Sequence, residues 1–270
     1  MKRFFENILK ISLVAVLLAS CEMEKEIDVD LPEYQPQLVV ECYLVPGEPY
    51  KLTVLESTSF VERPEPILVP DAEVVITHNG QADTLVFSPF LDMNTNKFYT
   101  HRSKVRATGA PDDVYTLQVT DRRGRTVTGT TSPLPPVDVH EITWKFNDEN
   151  EAYLLMRFQD DGSMKNFYRL LINHDSITGG KASDYLISDR LNNGKEISVG
   201  TSYKFDQNDT LTVSLFHVSE KYYNYLRSID DARDANGNPF AQPSVIKSTV
   251  DGGLGVFTFL SFTRKQVIVR

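Results

Sequence analysis

From Gln37 onward, hydrophobic and polar residues alternate along most of the chain. This period of two is typical of half-buried β-strands, because successive side chains of a strand point to opposite faces. Turn residues separate seven such segments in the first half of the chain. The predicted strands span residues 37–45, 50–57, 72–78, 84–87, 97–101, 115–121 and 126–131. Residues 37–132 are therefore predicted to form an antiparallel β-sandwich of immunoglobulin or transthyretin type.

A proline-rich segment follows this predicted domain. Pro133, Pro135 and Pro136 favour an extended connector, so residues 133–138 are predicted to be a linker. Alternation then resumes and predicts a second β-rich domain over residues 139–270. Its predicted strands span residues 141–146, 152–158, 167–173, 185–188, 198–205, 210–218, 255–262 and 266–269.

The hydrophobic period changes once, near residue 220. Tyr222, Tyr225, Leu226 and Ile229 fall on one face of a helix, and Ser219 is a suitable N-cap. We predict one helix near 220–235, whose apolar face packs on a sheet; an aromatic row that binds a ligand is the alternative. The predicted fold is mainly β, with two antiparallel sandwich domains and one helix in the second.

The N-terminus has the parts of an export signal. Lys2 and Arg3 precede a short apolar run at 11–18, and Leu18-Ala19-Ser20-Cys21 has the pattern of a lipobox. The run is shorter than the roughly 20 apolar residues of a membrane-spanning helix. We therefore predict that residues 1–20 are removed and that lipid on Cys21 anchors the protein, with an uncleaved N-terminal anchor as the alternative.

The segment after Cys21 is acidic and is predicted to be a flexible tether over residues 21–36. The whole chain carries a net charge of −9, and residues 1–20 carry +2 from Lys2, Arg3 and Lys10 against Glu6, so the mature chain carries −11. Nucleic-acid binding is not expected, because it depends on positive charge.

The second cysteine, Cys42, lies in an alternating strand and is predicted to be a small buried residue. A catalytic thiol is the alternative, but no neighbour in the sequence would activate it. With Cys21 lipidated, no disulfide is expected.

Motifs for catalysis or metal binding are absent from the sequence. The five histidines are scattered, and neither a His-Glu-x-x-His nor a Gly-x-Ser-x-Gly motif occurs. The cluster Gly252-Gly253-Leu254-Gly255 precedes a strand and predicts a bend or bulge instead of a phosphate loop. We expect no cofactor, no metal and no enzymatic activity, although a triad assembled in space stays open.

Two kinds of candidate site are found. Thr84, Ser176 and Thr210 each follow an aspartate and precede an apolar residue, which resembles the O-glycosylation acceptor of exported Bacteroidota proteins. Trp144, Tyr222 and Tyr225 are candidate contact residues for a partner or ligand, because tryptophan and tyrosine are favoured interface anchors. A core position next to the linker is the alternative for Trp144, and the one we favour.

Several motifs together resemble a known family. They are Leu38-Val39-Val40-Glu41, residues 71–76, residues 115–119 with Gly124, the prolines of 133–136, Tyr222-Tyr223-Asn224-Tyr225-Leu226, Asn238-Pro239-Phe240 and residues 252–257. This pattern resembles the Bacteroidota outer-membrane lipoproteins of domain-of-unknown-function family 4249, often encoded beside TonB-dependent receptors. The resemblance extends over nearly the whole mature chain and carries no catalytic residues over to it.

The resemblance implies a non-enzymatic accessory or binding partner of a TonB-dependent nutrient transporter. The acidic tract after Cys21 is similar to a Bacteroidota signal for display on the outer cell surface, with the periplasmic face of the outer membrane as the alternative. A structural or adhesive sandwich and a hydrolase with a spatially assembled site are the other functions left open, because a sandwich fold serves all of them.

Overall fold

A computed structural model of the protein describes residues 34–59, 65–236, 242 and 244–270. The predicted signal segment 1–20, Cys21 and the predicted tether up to residue 33 lie outside the described residues. The first eight strands are β1 (Leu38–Leu44), β2 (Pro49–Glu56), β3 (Ile67–Leu68), β4 (Glu73–His78), β5 (Gln81–Asp92), β6 (Lys97–Arg106), β7 (Tyr115–Thr120) and β8 (Thr126–Thr131).

The second half of the chain contains the other strands and the described α-helix. They are β9 (Val139–Phe146), β10 (Ala152–Gln159), β11 (Phe167–His174), β12 (Lys181–Ser188), β13 (Glu196–Gly200), β14 (Thr210–Val218), helix α1 (Glu220–Ala235), β15 (Leu254–Phe259) and β16 (Ser261–Ile268). A short 3-10 helix, Asp189–Leu191, follows β12. The prediction of a mainly β protein is confirmed.

The first half forms a strongly curled sheet. Its strand order is β15-β1-β2-β6-β5-β4-β7-β8, with β3 beside β2. The two ends of this order approach each other, because the Thr128 N–H on β8 donates to the carbonyl of Asp251, 3.0 Å away, just before β15. The sheet therefore encloses one hydrophobic core in the manner of a barrel. Its fully buried members include Val40, Leu52, Val74 and Leu117.

The second half is a two-layer arrangement. A three-stranded sheet, β13-β10-β9, and a four-stranded sheet, β12-β11-β14-β16, share a second hydrophobic core. Alternate residues of β10, among them Leu154, Met156 and Phe158, are fully buried in it. This is the pattern that the period-two alternation predicts.

Strand β15 does not follow the predicted domain boundary. Residues 139–270 were predicted to form one domain, whereas β15 pairs with β1 in the first sheet, in parallel, with Val40 opposite Gly255. Consecutive residues Val256 and Phe257 are both buried, on opposite sides of this strand. The predicted strand 255–262 is likewise divided at Leu260, where the chain passes from the first sheet into β16. Alternation identifies strands but does not specify their partners, so the sequence could not show this return.

Helix α1 begins as predicted. The Ser219 side chain accepts a hydrogen bond from the Tyr222 N–H at 3.2 Å. The apolar face of the helix packs against β11, β12 and β15, where Tyr222 and Tyr223 join Phe167 and Val256 in a third hydrophobic cluster. The prediction that this face packs on a sheet is confirmed.

Candidate functional site: the β5–β6 groove

A groove opens where strands β5 and β6 separate. From Gln81 to Leu85, β5 pairs with β4, and only from Val86 onward does it pair with β6. Over the same distance β6 continues along β2, with a register shift between the pairs Lys51–Arg102 and Pro49–Arg106. This shift inserts extra residues into β6 and bends the strand, as β-bulges do. The two strands therefore diverge and leave a gap in the wall of the curled sheet.

The space between these strands has a volume of about 1100 Å³. Charged and apolar side chains line it together. Its lining comes from β2, β5, β6 and the turn before β2, and includes Glu48, Tyr50, Lys51, Asp83, Thr84, Val86, Phe90, Asp92, Arg102, Lys104, Val105 and Arg106. A site of this composition offers both hydrophobic contact and electrostatic orientation to a bound molecule.

The cations of the groove fall into two kinds. The positive charge of Lys51 is balanced by carboxylates, because its ammonium group lies 2.6 Å from carboxylate oxygens of both Glu48 and Asp92. Arg102, Lys104 and Arg106 contact no carboxylate within salt-bridge distance in the described part of the chain. They occupy every second position of β6 and leave this rim positive on an acidic protein.

The Lys51 pair is electrostatically stable. Burial lowers the pKa of Lys51, but hydrogen bonds to Asp92 and Glu48 outweigh burial and raise the pKa above its usual value. The hydrogen bond from Lys51 also brings the pKa of Asp92 below its usual value, against the opposing effect of burial. Both groups therefore stay charged at neutral pH. The charged side chains at this end of the groove already have partners within the protein.

The inner wall of the groove carries two polar atoms without a partner. The Tyr50 hydroxyl and Oδ2 of Asp83 are buried, and neither hydrogen bonds to any described residue. Burial, the Tyr115 ring and the Asp83 carboxylate raise the pKa of Tyr50 to about 12, so its hydroxyl keeps its proton. An unsatisfied buried polar group costs about 1–3 kcal/mol, so such atoms in a native protein call for an explanation.

Apolar side chains on the same hairpin are exposed to solvent. Val86 and Met93 have exposed fractions of 67% and 78%, and Leu91, Phe98 and Val105 are also exposed. The Phe90 ring lies 5.1 Å from the Arg102 guanidinium, in a cation–π arrangement that holds this side chain over the groove. The β5–β6 hairpin thus presents apolar and basic groups next to each other.

The predicted contact residues lie elsewhere. Tyr222 is 2% exposed and belongs to the third cluster, so its prediction as a contact residue is wrong. Its helical face is covered by sheet, which leaves no ring surface for a partner. Tyr225 is half-buried and stacks on Tyr222 with a ring distance of 6.0 Å. Trp144 packs against the second core, and its indole N–H donates to the Arg270 carbonyl at 2.6 Å, which agrees with the favoured core interpretation.

The predicted modification sites differ in exposure. Thr84 is exposed at the groove, Ser176 is exposed in the turn after β11, and Thr210 is partly buried as the first residue of β14. Cys42 is fully buried, as predicted, and burial raises the pKa of its thiol far above the usual value. Cys21 lies outside the described residues, so its lipidation stays a prediction.

Sequence reasoning missed the groove for a specific reason. Strand β6 was predicted to end at residue 101, whereas it continues to Arg106. The alternating His101-Arg102-Ser103-Lys104-Val105-Arg106 carried the signal, because basic residues there occupy every second position. Nothing in the sequence indicated that Tyr50 and Asp83, on strands that do not pair with each other, would line the same space.

Two structural properties of the described residues bear on the site. They contain no group of three or more His, Cys, Asp or Glu side chains arranged to hold a metal ion. Among them, no helix is both long enough and apolar enough to cross a bilayer.

Comparison with solved structures gives only distant similarity. Latent PorU from Porphyromonas gingivalis is 13% identical with a TM-score of 0.23; the match covers 68% of this chain and 19% of PorU, so the chain spans about a fifth of that protein's length. A cytokine receptor complex is 10% identical, covering 68% and 86% of the two chains, with a TM-score of 0.25. A two-domain fibronectin type-III segment of chicken tenascin is 12% identical, covering 68% and 91%, with a TM-score of 0.22. Similarity at this level supports no functional argument.

Comparison by sequence is more informative. No curated protein matches the chain. A family model described as a domain of unknown function, DUF4249, matches residues 24–266. Because this span covers most of the sequence, the chain belongs to the DUF4249 family.

Proposed function

We propose that this protein is a lipid-anchored, non-enzymatic binding protein of the outer membrane that acts as an accessory of a TonB-dependent nutrient transporter. The lipobox ending at Cys21 and the acidic segment after it support an anchored protein that faces the cell exterior. The resemblance to lipoproteins encoded beside such receptors supports the choice of partner.

The observation that carries the binding role is the β5–β6 groove. It combines a volume of about 1100 Å³ with cations that contact no carboxylate of the described residues, exposed apolar side chains and two buried polar atoms that have no partner among those residues. A partner that fills the groove would satisfy all of these groups at once. The predicted contact residues Trp144, Tyr222 and Tyr225 are not needed for this role.

The test is a crosslinked pull-down of the tagged lipoprotein from its own cells, followed by mass spectrometry. A groove variant, Arg102→Glu with Lys104→Glu, is compared with a control, Lys145→Glu with Lys195→Glu. The control makes the same change in net charge at exposed lysines of the second half. We expect a TonB-dependent receptor to co-purify with the native protein and the control but to be depleted with the groove variant.

The other outcomes are also decisive. A receptor recovered equally with both variants would support the accessory role and assign the contact to another surface. Recovery of the native protein alone, despite crosslinking, would refute the accessory role and favour a structural or adhesive protein.

A further inference from the structure

We propose that the β5–β6 groove binds an extended acidic segment of a partner polypeptide, which adds as a strand alongside β5 or β6. This inference deepens the proposed function and rests on the groove being a binding site. It does not require that the partner be a transporter.

The first argument comes from strand pairing. In the strand order, β5 lies between β4 and β6, and its residues Gln81–Leu85 pair with β4 on one edge. The opposite edge faces β6, which pairs with β5 only from Lys97 to Arg102. Among the described residues, 81–85 of β5 and 103–106 of β6 therefore do not pair with each other across the groove, and of these edges the Val105 N–H already donates to Ser103 Oγ at 3.1 Å. Such an edge accepts an added strand through main-chain hydrogen bonds.

The second argument comes from charge. Arg102, Lys104 and Arg106 all line the groove and contact no carboxylate in the part of the chain described. An added strand that carries several acidic residues would bring carboxylates to these cations, whose spacing differs from the regular strand repeat because the register shift of β6 lies between Arg102 and Arg106. The protein as a whole carries a charge of −9, so this basic rim runs against the general character of its surface.

The third argument comes from the inner wall of the groove. Tyr50 is 1% exposed, yet no described residue accepts from its hydroxyl, and none donates to the buried Asp83 Oδ2. A peptide unit supplies both, since its carbonyl accepts from a hydroxyl and its N–H donates to a carboxylate. A small anion such as phosphate would satisfy the cations but has neither the main-chain carbonyl nor the N–H that a peptide offers to Tyr50 and Asp83. The pair of orphan atoms thus favours a peptide.

Size supports the same choice. Pockets for small molecules have volumes of about 300–1000 Å³ and enclose most of the ligand. The volume of the β5–β6 groove, about 1100 Å³, is slightly above that range, and much of its rim is exposed. Apolar positions Val86 and Val105 lie beside the cations, where intervening apolar residues of an added strand would contact them.

The probe for the test is a fluorescently labelled peptide of about ten residues, the length of a long strand, in which glutamate alternates with valine or threonine. It is titrated against the full-length mature protein in detergent, and binding is followed by anisotropy. We expect saturable binding that weakens as salt is raised. The same peptide with N-methyl groups on alternate backbone nitrogens should lose at least about tenfold in affinity, because it cannot donate to an edge strand.

Matched variants locate the site. Tyr50→Phe removes only the unpaired hydroxyl and should weaken binding about threefold to tenfold, while Tyr153→Phe on β10 should leave it unchanged. Arg102→Gln with Lys104→Gln should weaken binding more than Lys145→Gln with Lys195→Gln. Hydrogen exchange should slow at residues 81–85 and 103–106 when the peptide binds. Thermal unfolding of each variant verifies that it is folded.

Two results would overturn the inference. The first is the absence of saturable binding at about 1 mM peptide, a concentration that detects even weak complexes. The second is binding that survives both N-methylation of the peptide and the groove variants. Either would leave the transporter pull-down untouched, since that experiment does not depend on how the groove is filled. Conversely, peptide binding without receptor recovery would support the strand-binding groove and refute the accessory role.

Discussion

Gly255 on β15 lies so close to Val40 on β1 that a Cβ atom on Gly255 would approach the Val40 carbonyl oxygen to 2.0 Å. Gly255 also has a φ of +117°, in the region that favours glycine. These two residues are register partners in the parallel pair that returns the C-terminal part of the chain to the first sheet. The close approach explains why position 255 is a glycine.

Replacing Gly255 by alanine should therefore destabilise the protein severely. Both the backbone strain and the clash with Val40 oppose the substitution, and we expect a loss of about 3 kcal/mol or more in the free energy of unfolding. Urea denaturation measures it. Gly180→Ala is the control, because a Cβ there meets nothing within 4 Å, and it should change stability by less than about 0.5 kcal/mol. Equal stability of the two variants would contradict the proposed role of the close contact.

Protonation of Asp113 should lower the free energy of unfolding at acid pH. Burial alone would raise its pKa, but hydrogen bonds from Thr108, His78 and the Ala110 N–H hold the pKa well below its usual value. A carboxylate with a lowered pKa stabilises the folded state above its unfolded pKa of about 3.9, and this stabilisation is lost as pH falls toward the folded pKa. The free energy of unfolding should therefore decrease below about pH 4.

Asp113→Asn tests this dependence. The amide cannot accept the same set of donors, so we expect a loss of about 2 kcal/mol at pH 7 and a shallower fall in stability between about pH 4 and pH 2. Asp112→Asn, at an exposed neighbouring position, should leave the profile unchanged. The role assigned to the Asp113 carboxylate is contradicted when Asp113→Asn and the native protein show parallel profiles.

The strands could be predicted from the sequence because each depends on its own residues. Alternation identified β1, β2, β7 and β8 almost to the residue, and Ser219 identified the start of helix α1. The buried position of Cys42 followed from the same alternation. These features need no knowledge of which strands are neighbours.

The return of β15 and the groove could not be predicted, because both depend on distant pairing. Nothing near Leu254 in the sequence specifies that its partner is Val39, more than half the chain away. Tyr50 and Asp83 line the same space only because β5 leaves β6 to pair with β4. Register and strand order of this kind are set by the packing of the whole sheet.

Ser176 should be the best acceptor among the predicted O-glycosylation sites. It lies in an exposed turn next to Asp175, which has a φ of +57°, whereas Thr210 is partly buried within a sheet. Intact-mass spectra of the native protein and of Ser176→Ala, Thr84→Ala and Thr210→Ala should show the largest loss of added mass for Ser176→Ala. A native mass equal to polypeptide plus lipid would dismiss the modification. A glycan on Thr84 would occupy the groove, so its absence there is also expected.

Asn166 should stabilise the contact between the proline-rich linker and the second half of the protein through His217. Its amide nitrogen lies 3.2 Å from Oδ1 of the buried Asp160, and its Oδ1 lies 3.0 Å from Nε2 of His217. The other ring nitrogen of His217 lies 2.8 Å from the carbonyl oxygen of Pro135 in the linker. Asn166, Asp160 and His217 of this chain are buried; because Asn166 Oδ1 and the Pro135 carbonyl both accept, a neutral His217 imidazole donates to only one of them at a time.

Asn166→Leu breaks that chain at its centre without creating a large cavity. Asp160 and His217 would each lose a partner inside the protein, and we expect a loss of about 3 kcal/mol in the free energy of unfolding, measured by urea denaturation. Hydrogen exchange should also increase around Pro135 as the linker loosens. Asn193→Leu, at an exposed position, is the control and should change neither property. Unchanged exchange in the linker of Asn166→Leu would show that Asn166 stabilises the second half alone and does not fasten the linker.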